Sequence, residues 1–309
     1  MEKVIHQHYV PRMYLNRFGY GNEDDRKISV LKLDTGVILE NQRTECFATA
    51  NYFYDASRDE LEKALQDNFE LNPELKNSEK MSDVQFVEHA LAREEYAVNN
   101  MLNELQEDLS KIYVSPNTSL MIMFLHSLAY RTKSFRDRMD EINKRTAEWL
   151  NSLCDNLKMD NAVREKVFEE NCCTGKDNQL YQIMGVKPVL KTMEMLLENY
   201  NWYQGINNTE LDFVISDNPA HAVWLGFNDI CVPISCNKAI VLRIKDEDSP
   251  LISKDMPVDG VIDLSLQSVI AYNTYQMSVG QKFMFGTPKA IKFMKNFWEL
   301  DKSLRKLHG

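Results

Sequence analysis

The sequence predicts an α+β protein, and three observations carry that reading. Short segments rich in β-branched and aromatic residues sit at both ends of the chain. Runs with helical spacing fill the middle, and no Pro/Gly/Ser-rich linker divides the whole. The expected architecture is a single mixed or antiparallel sheet built from N-terminal and C-terminal strands, with a central helical layer. One domain is expected over residues 1–309, its helical middle at about 58–200.

Residues 27–33 alternate polar and apolar side chains, Asp34-Thr35-Gly36 supplies a turn, and 37–40 return, which predicts a hairpin. The aromatics Tyr52, Phe53 and Tyr54 mark a loop that closes over the core. Leu61, Ala64, Leu65 and Phe69 then recur at helical spacing until Asn72-Pro73. A long helix is expected over 82–112 and another from Pro116-Asn117-Thr118 through Arg131. Further helices are expected at 136–157, 162–170 and 186–199. Beyond residue 200 the pattern turns to short strands at 201–206, 212–215, 222–225, 230–234 and 239–244. A helix at 264–280, a strand at 282–285 and a terminal helix at 288–307 complete the chain.

Hydrophobic content of 44% and charged content of 27% are those of a soluble globular protein. The net charge is -10, and residues 59–110 alone hold 14 acidic against 4 basic side chains, so the remainder is balanced. A long acidic face repels phosphate backbones, which disfavours broad non-specific nucleic-acid binding and leaves only a local basic groove open. The longest apolar run, 120–130, is interrupted by His126 and Ser127 and is too short to span a bilayer, so no membrane partner is expected. Met1-Glu2-Lys3 leads into a polar segment without a signal-peptide core, and a cytoplasmic location is expected. The six cysteines include no CxxC pair, and free thiols are expected.

Two stretches are dense in chemically able side chains. The first runs from Ile5 to Phe18 and holds His6, His8, Tyr9, Pro11, Arg12, Tyr14 and Arg17; the second is Phe213-Val214-Ile215-Ser216-Asp217-Asn218-Pro219-Ala220-His221. The pattern His8-Tyr9-Val10-Pro11, then Tyr14-Leu15 and Phe18, resembles the opening signature of the domain-of-unknown-function 4238 family. Leu91-Ala92-Arg93-Glu94-Glu95, Tyr130-Arg131-Thr132, the Ser216-Asp217-Asn218-Pro219 stretch, Val232-Pro233-Ile234-Ser235 and Asn273 are similar to later landmarks of that family, in order. Gln7 and Arg12 depart from its usual pattern of a His-His pair before Tyr and a Gln after Pro.

The residue types point to a polar pocket at strand ends. His8 can exchange a proton near neutral pH, Asp217 and Asn218 follow a strand, and Pro219 fixes the direction in which Asn218 points. His8, Glu95, Arg131 and Asp217 are the candidate catalytic residues: Asp217 and Glu95 as base or metal ligands, His8 as proton carrier, Arg131 on phosphate charge. Asn218 and Asn273 are candidate cofactor-binding amides, and Asp217 with His221 would hold a divalent metal. The Tyr9, Pro11, Tyr14, Leu15 and Phe18 side chains read as an apolar clamp that fixes the opening segment. There is no GxxxxGK[ST], GxGxxG, HExxH or GxSxG motif, so the common nucleotide hydrolases, Rossmann dehydrogenases, zincins and α/β-hydrolases are disfavoured. The expected function is a hydrolase or nuclease-like enzyme acting on a phosphate-containing substrate. The alternatives are a non-catalytic nucleotide or small-anion binding module and an interaction protein that docks through its acidic helix.

Overall fold

The opening motif folds as strand β1 (His6–His8) followed at once by a short helix, α1 (Arg12–Asn16). In the computed structural model, which describes residues 3–22, 25–220, 229–245, 257 and 260–308 (backbone alone for 303–308), the expected hairpin forms from β2 (Lys27–Lys32) and β3 (Ile38–Arg43). Gly36 turns that hairpin at φ +70°, and its face lies so close to the Trp298 ring that a Cβ would collide with it. Strand β4 (Thr49–Asn51) then returns to pair with β1.

The helical middle follows as α2 (Arg58–Ala64), α3 (Gln66–Leu71), α4 (Phe86–Glu107), α5 (Asn117–Tyr130), α6 (Lys133–Asn156), α7 (Asn161–Asn171), α8 (Gly175–Met184) and α9 (Val186–Asn199). Local chemistry sets several starts. Ser57 and Glu60 form a reciprocal capping box on α2, and Thr132, Asp160 and Thr174 accept backbone N–H groups at the heads of α6, α7 and α8. Helix α5 is buried on nearly every side, from Met121 through Tyr130 apart from Met123, and packs against α4, α8 and α9. Within it His126 is satisfied by Thr192 and the Gln182 carbonyl, each at 2.8 Å. Among the described residues no helix is long and apolar enough to cross a membrane.

The remaining elements are β5 (Tyr200–Ile206), β6 (Ile215–Ser216), β7 (Asp229–Pro233), β8 (Lys238–Ile244), β9 (Val261–Asp263), α10 (Leu266–Val279), β10 (Phe283–Gly286) and α11 (Pro288–His308). The α+β class is observed, with antiparallel and mixed pairing, but the expectation of one sheet is corrected to three small ones among the described residues. They are β1-β4, the antiparallel β3-β2-β10-β6, and β7-β8-β5-β9, in which β5 and β9 are parallel. N-terminal and C-terminal strands do share the second sheet, where Met284 lies opposite Leu31 and Ser216. The third sheet stays separate because the linking segment spends its donors elsewhere. Phe213 N–H goes to the Cys236 carbonyl and Val214 N–H to the Asn273 side chain, so β6 shrinks to two residues and no ladder joins the sheets. The strand expected at 222–225 lies outside the described residues.

Helix α8 was not visible in the sequence, and its packing explains why. The side chain it buries at the α6 junction is Gln179, whose amide donates to the Tyr130 and Thr132 carbonyls and accepts from Arg136. Gln179→Leu, which keeps the volume and removes every one of these bonds, is expected to cost about 2 kcal/mol or more in urea unfolding, because buried carbonyls and a guanidinium lose their partner.

Candidate functional site

Arg131 stands at the C-terminus of α5 with its side chain 2% exposed. One Nη donates to the His8 carbonyl at 2.7 Å and to Glu95 Oε1 at 2.8 Å, while Tyr54 Oη donates to the Arg131 carbonyl at 2.7 Å. Burial works against the guanidinium charge, but Glu95, Tyr54 and Glu94 together more than offset it and hold the pKa above its usual value. Three of the expected catalytic residues, His8, Glu95 and Arg131, are thereby brought together.

The cluster also holds Glu88 and Glu94, which sequence reasoning counted as part of a solvated acidic face. Burial raises the pKa of both, against the pull of Arg131, and Glu88 Oε2 is buried without a hydrogen-bond donor. A signal existed: Glu88, Leu91, Glu95 and Leu102 follow one another at intervals of three, four and seven along α4, the spacing of one inward stripe. His8 is pushed down to about 4 by burial and then by Arg131, and its Nδ1 is buried without a partner. A neutral imidazole and carboxyls with raised pKa values, all acting on or acted on by Arg131, are group types suited to proton transfer.

The other candidates form a second network, joined to the first through Thr132, whose hydroxyl reaches Asn218 Oδ1 at 3.5 Å. Asp217 is 3% exposed, and its two carboxylate oxygens accept the backbone N–H groups of Gln281 and Lys282 at 2.8 and 3.0 Å. Burial raises its pKa, and these backbone donors pull it back. Asn218 donates to the Val279 carbonyl at 3.1 Å. Asn273 accepts from Val214 N–H and donates to the Asp212 carbonyl, and Gln276 similarly takes Ser216 and donates to Pro219. These side chains stitch α10 and the turn before β10 to the Ser216-Asp217-Asn218-Pro219 segment. Among the described residues no group of three His, Cys, Asp or Glu side chains is placed to hold a metal ion; His221 lies outside those residues.

A third place was missed altogether. Arg17 and Arg26 line a cavity of about 240 Å³ with Gly19, Gln106, Ser235 and Asn237. Among the described residues Arg17 donates only to neutral acceptors, the Leu102 and Asn99 carbonyls and the side chains of Asn99 and Asn103, and Arg26 only to the Asn16 carbonyl. The Nε of each is buried without an acceptor. Burial, and next the charge of Arg26, push Arg17 down to about 10. Lys238 donates to the Gln106 carbonyl and adds a third positive charge nearby. Arg17 could have been found, since no acidic residue lies within four positions of it. Arg26 directly follows Glu23-Asp24-Asp25 and reads as neutralised in sequence, yet Asp25 is bound by Lys27.

The depressed imidazole gives a pH dependence. Between about 4 and 6.5 the unfolded chain binds a proton at His8 that the folded protein refuses. The associated stability is therefore complete above pH 6.5 and is lost as the pH falls toward 4. Urea unfolding at pH 7.5 and 4.5 should show wild type losing more stability on acidification than His8→Gln, whereas equal losses would mean that His8 titrates normally.

A search of curated proteins and of solved structures returned no match. The family model described as Protein of unknown function (DUF4238) matches residues 6–290, a span that takes in the Arg131 cluster, the Asp217 network and both arginines of the cavity. The chain belongs to that family.

Proposed function

We propose that this protein is a binding module for a small phosphate-bearing anion, held in the cavity between Arg17 and Arg26. The observation that carries the reading is that both guanidiniums line the cavity and, among the described residues, donate to neutral acceptors alone. The two cations repel one another, and a phosphate at this wall would offset that repulsion and accept charge-assisted hydrogen bonds from the guanidiniums. A planar guanidinium fork also matches phosphate geometry better than an ammonium does. The Ser235 hydroxyl and Asn237 amide at the wall add neutral polar groups, and about 240 Å³ is ample for a phosphate group with attached water.

The same reasoning moves phosphate recognition away from Arg131. Its charge already faces Glu88, Glu94 and Glu95, and a phosphate there would meet an excess of carboxyl groups. A second reading is favoured by the neutral His8 and the two carboxyls with raised pKa values: that cluster would supply acid–base catalysis to a hydrolase or nuclease-like reaction.

Inorganic phosphate and pyrophosphate are the direct probes. At matched ionic strength, either should raise the melting temperature of wild type above that in chloride. Arg26→Ala should weaken the affinity by about tenfold or more, the worth of one charge-assisted bond. Arg26 has a single protein hydrogen bond, so its variant is expected to fold; Arg17 also ties α1 to α4 and is the less clean substitution. Equal shifts in wild type and Arg26→Ala would contradict the assignment. Under the second reading, His8→Gln would abolish a phosphoester hydrolysis that Arg26→Ala leaves measurable.

A further inference from the structure

A second cavity, of about 170 Å³, lies between β7, β8, α5 and α10, and its walls are mainly apolar. Leu125, Leu128, Phe213, Cys231, Val241 and Tyr272 form much of its lining. Two of the polar groups at the wall are engaged from behind: Tyr14 Oη donates to the Pro233 carbonyl at 2.7 Å, and the Gln276 amide is held between Ser216 and the Pro219 carbonyl, while Asp229, Ser268 and Tyr275 mark its polar side. Cys231 and Tyr272 are half-buried and line the cavity.

Water gains little against the apolar side of this wall, because it needs two to four polar partners, and an apolar cavity of about 150 Å³ is already enough to hold benzene. We propose that this cavity is a binding site for one compact, uncharged aromatic ring, independent of the phosphate site. The wall chemistry selects that class. Phe213 and Tyr272 meet edge to face at 5.4 Å and 85°, and offer ring surface to a third ring. The Cys231 sulfur is a polarisable contact for an aromatic edge. Burial pushes its thiol up to about 12, so it stays protonated and serves as wall rather than nucleophile. An anionic ring would be desolvated against the carboxylate of Asp229, which also borders the cavity, and is excluded by the same chemistry.

Benzene is the probe and benzoate its charged control. At benzene concentrations about tenfold above the dissociation constant, the melting temperature of wild type should rise by about 2 °C, the value expected for a chain of this length. Benzoate should give no shift, and Cys231→Phe, which fills the void with a ring of its own, should give none with benzene. Because that variant could fail to fold, the methyl resonances of Leu125, Leu128 and Val241 in wild type provide a second readout and should move in a saturable way with benzene. No saturable methyl movement in wild type, an undiminished shift in a folded Cys231→Phe, or an equal response to benzoate would each overturn the proposal.

Discussion

The fold depends on one buried guanidinium. Arg131 ends the central helix and is reached from three directions: the His8 carbonyl of the first strand, the Glu95 carboxylate of α4, and the Tyr54 hydroxyl of the aromatic loop. Removing one partner of a buried ion pair costs about 3–5 kcal/mol, because the remaining charge is stranded in low dielectric. The N-terminal segment is also attached by the β1–β4 ladder, by the hydrogen bonds of Arg17 to α4 and by its buried Tyr9, Val10, Tyr14, Leu15 and Phe18 side chains. Gln7 bonds Asp55 and the Tyr54 backbone, and Tyr14 reaches the Pro233 carbonyl in the third sheet, so the opening motif is anchored to both halves of the molecule. Arg131 is the buried, ion-paired member of that anchorage.

That role explains why two arginine environments in the same protein differ. Arg131 is buried most completely and is surrounded by carboxyl groups, so its charge is spent on the protein itself. Arg17 and Arg26 are half-buried, lie close enough to repel one another, and find only amide and carbonyl acceptors. Juxtaposed cations without a counter-charge are unfavourable in isolation, and an anion is the partner that would relieve them. In a chain of net charge -10 this is a local exception to the general field, the kind of basic groove that composition left open.

Much of the fold was legible. The β2–β3 hairpin, the long helices and the terminal helix follow from periodicity and turn residues, and the sharing of a sheet between the chain's two ends was foreseen. The illegible parts have physical causes. Helix α8 buries a glutamine where an apolar stripe would announce it, and the split between α2 and α3 at Leu65 carries no Gly or Pro. The third sheet separates through side-chain bonds from Asn273, which lies 59 residues from the Val214 amide it accepts. For the site, the motifs put His8, Glu95, Arg131 and Asp217 in one group, and the structure brings the first three together around the Arg131 guanidinium while Asp217 lies in the neighbouring network. They could not tell that the oxygens of Asp217 are engaged by the Gln281 and Lys282 backbone, or that Asp25, next to Arg26 in sequence, is held by Lys27.

The account rests on the claim that the arginines of the opening region, and not Arg131, are the ones available to an anion. Arginine Nε–H resonances report this directly when inorganic phosphate is titrated into the full chain, with assignments from single substitutions. Saturable movement of the Arg17 and Arg26 signals, with Arg131 unmoved, is the predicted result. Movement of Arg131 in place of Arg17 and Arg26, or no saturable change in any of the three, would contradict it.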